Sequence, residues 1–158
     1  MLESLLFAAA IGLGMIILTA FVVYEALRLI WLVLPHLNWA PRSRVLFIIA
    51  CIFFVHVINI WLYGAAFFVA ENYTNIGVLN GARAHQGLGL ESFLECLYFS
   101  SATYTSLGFG DIIPTHNLRM LAAAEVLSGL VMIGWTISFT FLSMEKFWQL
   151  PHSKKKEN

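Results

Sequence analysis

Apolar residues run in long unbroken blocks along this chain, and three windows are long enough to cross a bilayer: 4–23, 45–70 and 118–143. A membrane helix needs about 20 predominantly apolar residues, so each window predicts a span. The first block has an alternative reading as a secretory signal. It lacks a basic n-region and stays apolar well past a normal h-region, which favours a retained helix. Residues 24–34 (YEALRLIWLVL) continue that helix and set Glu25 and Arg28 three apart on one face, where they can pair. Pro35 and Pro41 then bracket a short connection with Trp39, Arg42 and Arg44, which reads as a turn at the membrane interface.

Between the second and third windows lies a shorter apolar stretch, 93–104, followed at once by residues 105–111 (TSLGFGD). Ser92 with Glu95 three residues on makes a capping-box pattern that predicts a helix start near 92. A helix over 92–105 is about 20 Å long at 1.5 Å per residue, too short to cross but long enough to dip partway into the bilayer. The backbone after it is not helical, and at membrane depth such backbone persists only when buried in protein or lining water. Gly108 and Gly110 have no Cβ and accept left-handed conformations, which lets an extended chain turn its carbonyl oxygens to one side. Four such segments around an axis offer stacked oxygen rings that replace a cation's hydration shell, the chemistry of an ion-selectivity filter. A tight turn between helices is the plainer reading of the two glycines alone.

The 158 residues are 59% hydrophobic and 11% charged, with a mean hydropathy of +0.79, as an integral membrane protein in contact with the lipid bilayer requires. Nine basic and nine acidic side chains cancel and no basic stripe appears, which excludes nucleic acid as a partner. Cys51 and Cys96 sit in apolar surroundings at different depths and read as buried free thiols, not a disulfide. No CxxC pair or His/Cys cluster has metal-site spacing, so an enzyme is not expected. Arg42, Arg44, Lys146, Lys154, Lys155 and Lys156 belong on the cytoplasmic side by the positive-inside rule. The loop 71–91, with Arg83 as its only basic residue, then faces outward together with the N-terminus, in a plasma (inner) membrane.

Helix, short re-entrant helix, glycine segment, helix is the plan of the potassium-channel pore domain, and residues 98–114 (YFSSATYTSLGFGDIIP) resemble that family's signature. The resemblance covers about residues 45–148. It matches Thr105 and Ser106 to the family's paired threonines, Leu107 to its valine, Phe109 to its tyrosine and Asp111 to its aspartate. It implies an all-α membrane protein, a homotetramer whose ion-channel pore is helix, pore helix, filter, helix, with one extra N-terminal transmembrane helix. It implies passive K+ conduction without a cofactor, through ion-coordinating filter residues Ser106, Leu107, Gly108, Phe109 and Gly110. Thr105, Asp111, Phe99 and Glu125 would support the filter. The chain then divides into an N-terminal helix with its extension (1–35), a cytoplasmic connection (36–44), the pore domain (45–150) and a short cytoplasmic tail (151–158). A non-selective monovalent cation channel and a non-conducting subunit of a larger complex are the alternatives.

Three departures from the family pattern predict a filter held by fewer side-chain bonds and tolerating some sodium. Phe109 lacks the usual phenol hydroxyl, and Phe99, at a position of the surrounding aromatic cuff, offers no polar partner. Ser106 keeps the hydroxyl but loses the methyl that fixes a threonine rotamer. Ala102 stands where some members place an acid that pairs with the filter aspartate.

In the last window, Gly129 and Gly134 read as a hinge or as sites of close helix packing. Val126, Leu130, Ile133, Ile137, Phe141 and Met144 recur at helical spacing. They form either a cavity lining, with Phe141 or Met144 as a hydrophobic gate, or a plain apolar face. Glu125 is an ionisable group inside a span, and supports the pore helix from behind or acts as a proton-sensitive switch. For His56 and Asn59, mid-span in the second window, the readings are an interhelical hydrogen bond or a proton path, and the first is expected, since nothing in the sequence extends the chain of polar groups.

On the outer side, Glu71, Glu91 and Asp111 would concentrate cations, His85 and His116 offer pH sensitivity, and Asn72-Tyr73-Thr74 fits a glycosylation sequon. No span carries arginine at every third position, so there is no voltage sensor, and the tail after Pro151 is too short for a ligand-binding domain. Gating is left to the pore, the first helix, lipid, pH or a separate regulatory subunit. The first helix is expected to pack outside the second, with Gly12 and Gly14 permitting close approach.

Overall fold

The computed structural model describes residues 2–81 and 89–148. Arg83, His85, Lys154, Lys155, Lys156 and the whole 151–158 tail lie outside the described residues. Helix α1 (Leu2–Val33) ends in a 3-10 turn (Leu34–His36). Helix α2 (Pro41–Tyr73) follows, then strand β1 (Leu79–Gly81), helix α3 (Leu90–Tyr104), strand β2 (Ile112–Pro114) and helix α4 (Leu118–Trp148). Three stretches are long and apolar enough to cross a membrane: Glu3–His36, Arg42–Tyr73 and Leu118–Lys146. Each outruns its apolar window because the helix continues through the interface. At 1.5 Å per residue the 33-residue α2 is about 50 Å long, against about 30 Å of hydrocarbon. Pro41 is the first helical residue of α2, where its missing N–H has no intrahelical partner to lose.

Helix α3 begins at Leu90 with Gly89 as its N-cap, two residues before the expected start. No side chain caps it, so the Ser92/Glu95 capping box is not formed. Ser92 instead lies inside the first turn and is buried, and Phe93 N–H closes that turn on the Gly89 carbonyl at 3.2 Å.

Strands β1 and β2 pair antiparallel in a small ribbon that no sequence pattern announces, with Leu79 opposite Pro114 and Gly81 opposite Ile112. Three-residue strands are too short to display alternation. Thr115 fastens the ribbon's end. Its hydroxyl accepts the Val78 N–H and its own N–H donates to the Val78 carbonyl, both at 2.9 Å. The N–H groups of Asn117 and Leu118 donate to the Ile76 carbonyl. The end of α2 is thereby tied to the start of α4 around the glycine segment.

Two apolar clusters hold the helices. One, with Tyr63, Phe67, Cys96, Phe99, Tyr104, Leu118 and Leu121, surrounds α3. The other, with Val23, Leu27, Ile30, Ile48, Val55 and Met132, joins α1, α2 and α4 in the other half of the bundle. Helix α1 lies chiefly against α4 and only secondarily against α2, unlike the expected position outside α2. The close approach explains this: a Cβ at Gly12 would sit 3.0 Å from the Ala124 Cβ. Thr19 and Ser128 share a buried hydrogen bond of 3.0 Å, and Asn117 donates to Ser4 at 2.9 Å. Gly14 has no neighbour within 4 Å. Near the cytoplasmic end by the positive-inside reading, Lys146 sits 4.0 Å above the Trp31 ring. The expected Glu25–Arg28 pair is formed, at 3.1 Å on the exposed face of α1.

Candidate ion-selectivity site

The glycine segment grows directly out of the end of α3, and the helix terminus sets its geometry. Thr105 is the C-cap, and Ser106, the next residue, is left-handed with φ 59°. The Ser106 N–H donates to Thr103 O at 3.0 Å and the Leu107 N–H to Ala102 O at 2.9 Å, the paired bonds of a Schellman motif. Glycine usually occupies the left-handed position of that motif. Serine there costs about 1–2 kcal/mol of backbone strain, and the two hydrogen bonds offset it. The Thr105 hydroxyl donates to Ser101 O at 2.7 Å, closing the last turn.

Handedness then alternates. Ser106 (59°), Gly108 (54°) and Gly110 (79°) have positive φ, while Leu107 and Phe109 between them do not. Inverting every second residue swings successive carbonyls towards one side of the strand, where an ordinary strand alternates them. Every residue from Thr105 to Asp111 is exposed in the single chain, with Leu107 at 59% and Phe109 at 64%. The segment is thus built as one side of a larger structure.

Its far end is anchored by Asp111. One carboxylate oxygen accepts the Ile112 N–H at 3.0 Å and the other accepts the Tyr98 hydroxyl at 2.8 Å. Tyr98 also stacks on Phe109, with ring centroids 6.3 Å apart and planes 2° from parallel. The bond to Asp111 raises the Tyr98 phenol above its ordinary pKa. Sequence reasoning missed Tyr98: it supplies the bond to the aspartate for which Ala102 has no side chain. Its spacing, thirteen residues before Asp111 and on the exposed side of α3, was the available signal. Phe99 turns the other way, edge-on to Phe67 of α2 at 5.0 Å, and is buried.

Behind α3, Glu125 is fully buried on α4 and meets the helix at Ser100, whose hydroxyl lies 2.5 Å from Glu125 Oε1 and 2.8 Å from Ile60 O. One hydroxyl proton cannot serve two acceptors, so the arrangement is complete when Glu125 carries a proton of its own. The two candidate hinge glycines separate here. A Cβ at Gly129 would collide with the Tyr104 carbonyl oxygen, which makes it the contact point of α4 with the base of α3, whereas Gly134 is open on all sides.

Helix α4 turns Leu118, Leu121, Glu125, Ser128, Met132 and Thr136 into the bundle. Of the other stripe, Leu130, Ile137 and Phe141 are exposed and Val126, Ile133 and Met144 half-buried. None of the described residues covers that face, and Leu127, Val131 and Leu142 widen it.

Of the acids expected at the mouth, Glu91 is exposed in the first turn of α3, where the helix dipole favours it. Glu71 is turned inward, accepting the Leu79 N–H at 3.3 Å and facing the Cys96 thiol at 3.7 Å. Burial first, and the Glu71 carboxylate second, push that thiol up to about 12, so Cys96 stays an inert thiol. Cys51 is a free thiol too, although only half-buried. His116 is exposed in the turn before α4. Among the described residues no group of three or more His, Cys, Asp or Glu side chains is placed to hold a metal ion.

A family model described as "Ion channel" matches residues 43–146, two thirds of the chain and everything that builds this site. The chain belongs to this ion-channel family. It is similar to "Two-pore potassium channel 1" of Arabidopsis thaliana, 41% identical over 46 residues, which is 28% of this chain and 13% of that protein. It is also similar to a delayed-rectifier potassium channel regulatory subunit of Lemur catta, 26% identical over 74 residues, 46% of this chain and 14% of that one. The chain therefore spans a small part of the curated relatives it matches. No solved structure matches it. Helix α1 falls outside the region shared with the ion-channel family, and the protein is an integral membrane one with its helices in contact with lipid.

Proposed function

We propose that this ion-channel chain assembles as a homotetramer and conducts K+ passively through a filter of backbone carbonyls from Ser106 to Gly110. The alternation of positive φ at residues 106, 108 and 110 is the observation that carries this reading, because it is the backbone device that presents unscreened oxygens to a dehydrated cation. A one-sided row of oxygens completes a cation's shell only when other rows face it. The uncovered filter and the uncovered apolar face of α4 are suited to such neighbours. Both similar relatives are named as potassium-channel proteins. In this reading Leu130, Ile137 and Phe141 line the inner cavity, Phe141 or Met144 closes it by dewetting, and the basic ends of α2 and α4 face the cytoplasm.

The test is ion flux from the purified protein in liposomes, with the reversal potential read for K+ against Na+. Potassium-selective flux is expected, lost in Gly108→Ala because alanine resists the φ of 54° that aims the neighbouring carbonyl. A parent protein without flux sinks the channel reading. A reversal potential that does not distinguish the ions leaves a non-selective cation channel, and unchanged flux in Gly108→Ala removes this filter as the route. One relative is named as a regulatory subunit, which favours a non-conducting partner role as the second reading. Flux by the protein alone separates the two.

A further inference from the structure

At the base of the filter three helices meet through polar side chains, and the chain of polar groups there is longer than the sequence suggested. His56 of α2 lies between Tyr104, the last helical residue of α3, and Thr136 of α4. Its Nδ1 is 2.9 Å from the Tyr104 hydroxyl and its Nε2 3.0 Å from the Thr136 hydroxyl. Two further bonds fix the direction of every proton. The Asn59 amide donates to the Tyr104 oxygen at 3.3 Å, and the Tyr104 O–H donates to Nδ1, which is bare when the neutral ring carries its proton on Nε2. The Thr136 hydroxyl donates to the Ile133 carbonyl at 3.0 Å, so its oxygen accepts from His56 Nε2–H. The protons therefore run from Asn59 through Tyr104 to His56, and from His56 through Thr136 to Ile133.

One atom is left over. Asn59 Oδ1 is buried without a hydrogen-bond partner, while the nitrogen of the same amide reaches the Tyr104 hydroxyl. A buried acceptor left unpaired is costly, and here it is the group that an inverted chain would use. When His56 gains a proton, Nδ1 becomes a donor to the Tyr104 oxygen. The Tyr104 O–H then has to find another acceptor, and a half-turn of the Asn59 amide, whose nitrogen already reaches that hydroxyl, presents Oδ1 to it. The Thr136 arm does not change, since Nε2–H donates in both states.

We propose that His56, as a neutral Nε2–H imidazole, is a positioning residue that ties the base of the filter to α4, through a hydrogen-bond chain whose Tyr104–Asn59 arm reverses on protonation. The inference deepens the channel reading and rests on it for its functional consequence. Tyr104 is one residue from Thr105 and its carbonyl bears on Gly129, so a reversal at its hydroxyl acts where filter and α4 meet. In a fourfold channel it also adds one positive charge per subunit at the base of the filter, which opposes cation passage. The titratable groups around this junction are Tyr104 from α3, Tyr63 from α2 and Glu125 from α4, the latter two near enough to Tyr104 to act on it electrostatically. Thr136 from α4 and Asn59 from α2 do not titrate.

Nitrogen-15 NMR of the full chain in lipid nanodiscs, with His36, His85, His116 and His152 each replaced by glutamine, reads the His56 ring alone. At neutral pH a bare Nδ1 and a protonated Nε2 are expected. The opposite tautomer, or a doubly protonated ring, overturns the proposal whether or not the protein conducts. Asn59→Leu removes the acceptor of the reversed arm and should move the His56 midpoint to lower pH. Asn59→Asp strengthens that acceptor and should move it to higher pH, each by about one unit or more, a tenfold change in proton affinity. Midpoints that stay together or shift the same way overturn the reversal. Liposome K+ flux should fall severalfold across the same pH interval and become flat in His56→Gln, while Glu125→Gln keeps the fall. A fall that survives His56→Gln overturns the coupling to conduction. Absence of all flux beside the expected tautomer sinks the channel reading and leaves the assignment of the ring standing.

Discussion

Around α3 the bundle buries Ser100, Glu125, Asn59 and Tyr104 and bonds them across three helices, whereas its other half is joined by the aliphatic side chains of Val23, Leu27, Ile30, Ile48 and Met132. The difference follows from what each half has to fix. Long spanning helices are already oriented by the bilayer, and close packing is enough to hold them side by side. The short α3 reaches only partway in, so lipid does not set its tilt or rotation. Directional bonds do: Ser100 to Glu125 on one side, Tyr104 to His56 and Asn59 at its base, Tyr98 to Asp111 beside the filter. Hydrogen bonds between membrane helices average only about 0.6 kcal/mol. Their value here is therefore geometric, in aiming a backbone whose alternating φ has to be kept within a few degrees.

Gly129→Val should have the largest effect, because the added carbons meet the Tyr104 backbone and not a side chain that can move. The expected outcome is loss of the folded, monodisperse protein on gel filtration in detergent, beyond the about 1–3 kcal/mol of ordinary overpacking. A stable, monodisperse variant would show that α4 does not bear on α3 at this point. Met132→Ala, in the aliphatic half, should cost about 2 kcal/mol or more through the cavity it leaves, read as a lowered midpoint of thermal unfolding. The same substitution should leave ion selectivity untouched.

Ser100→Ala should cost about 1 kcal/mol, because it strands the buried Glu125 carboxyl without its partner. Here the reading that matters is selectivity, which should loosen although the loss of stability is smaller than for Met132→Ala. The reverse ranking would erase the distinction between the two halves. Tyr98→Phe should have the smallest effect on stability, since the hydroxyl is exposed, while releasing one oxygen of Asp111. The sign of its pH dependence follows from the raised pKa of Tyr98. The bond to Asp111 is fully present below the ordinary phenol range and is lost as pH rises through the higher value of the folded protein. Alkaline titration of the parent, followed by tyrosinate absorbance, should therefore show several tyrosines ionising late, and one fewer of them in Tyr98→Phe.

Three long helices and one short one were legible from block length alone, as was the turn bracketed by Pro35 and Pro41, because helix in lipid is dictated by the need to satisfy every backbone group. Boundaries were less legible. Helix α3 starts at Leu90, with Gly89 as its N-cap, and not at the local capping pattern of Ser92, whose side chain is buried. The position of α1 depended on which of several small residues finds a partner. Gly12 meets Ala124 while Gly14 meets nothing, and no local pattern distinguishes them.

By itself the sequence determined that this chain lives in a membrane, how its segments follow one another, and that residues 105–111 can form a backbone which side chains do not obstruct. Those are properties of composition, block length and the freedom of glycine, and they need no neighbour. Only the tertiary structure decided that Tyr98 anchors Asp111, that Glu125 backs Ser100, that Gly129 is a contact point, and that His56 links Tyr104 to Thr136. Each of these is a meeting of residues between thirteen and eighty positions apart, set by the rotation and depth of helices that a nearly uniform apolar sequence leaves unspecified.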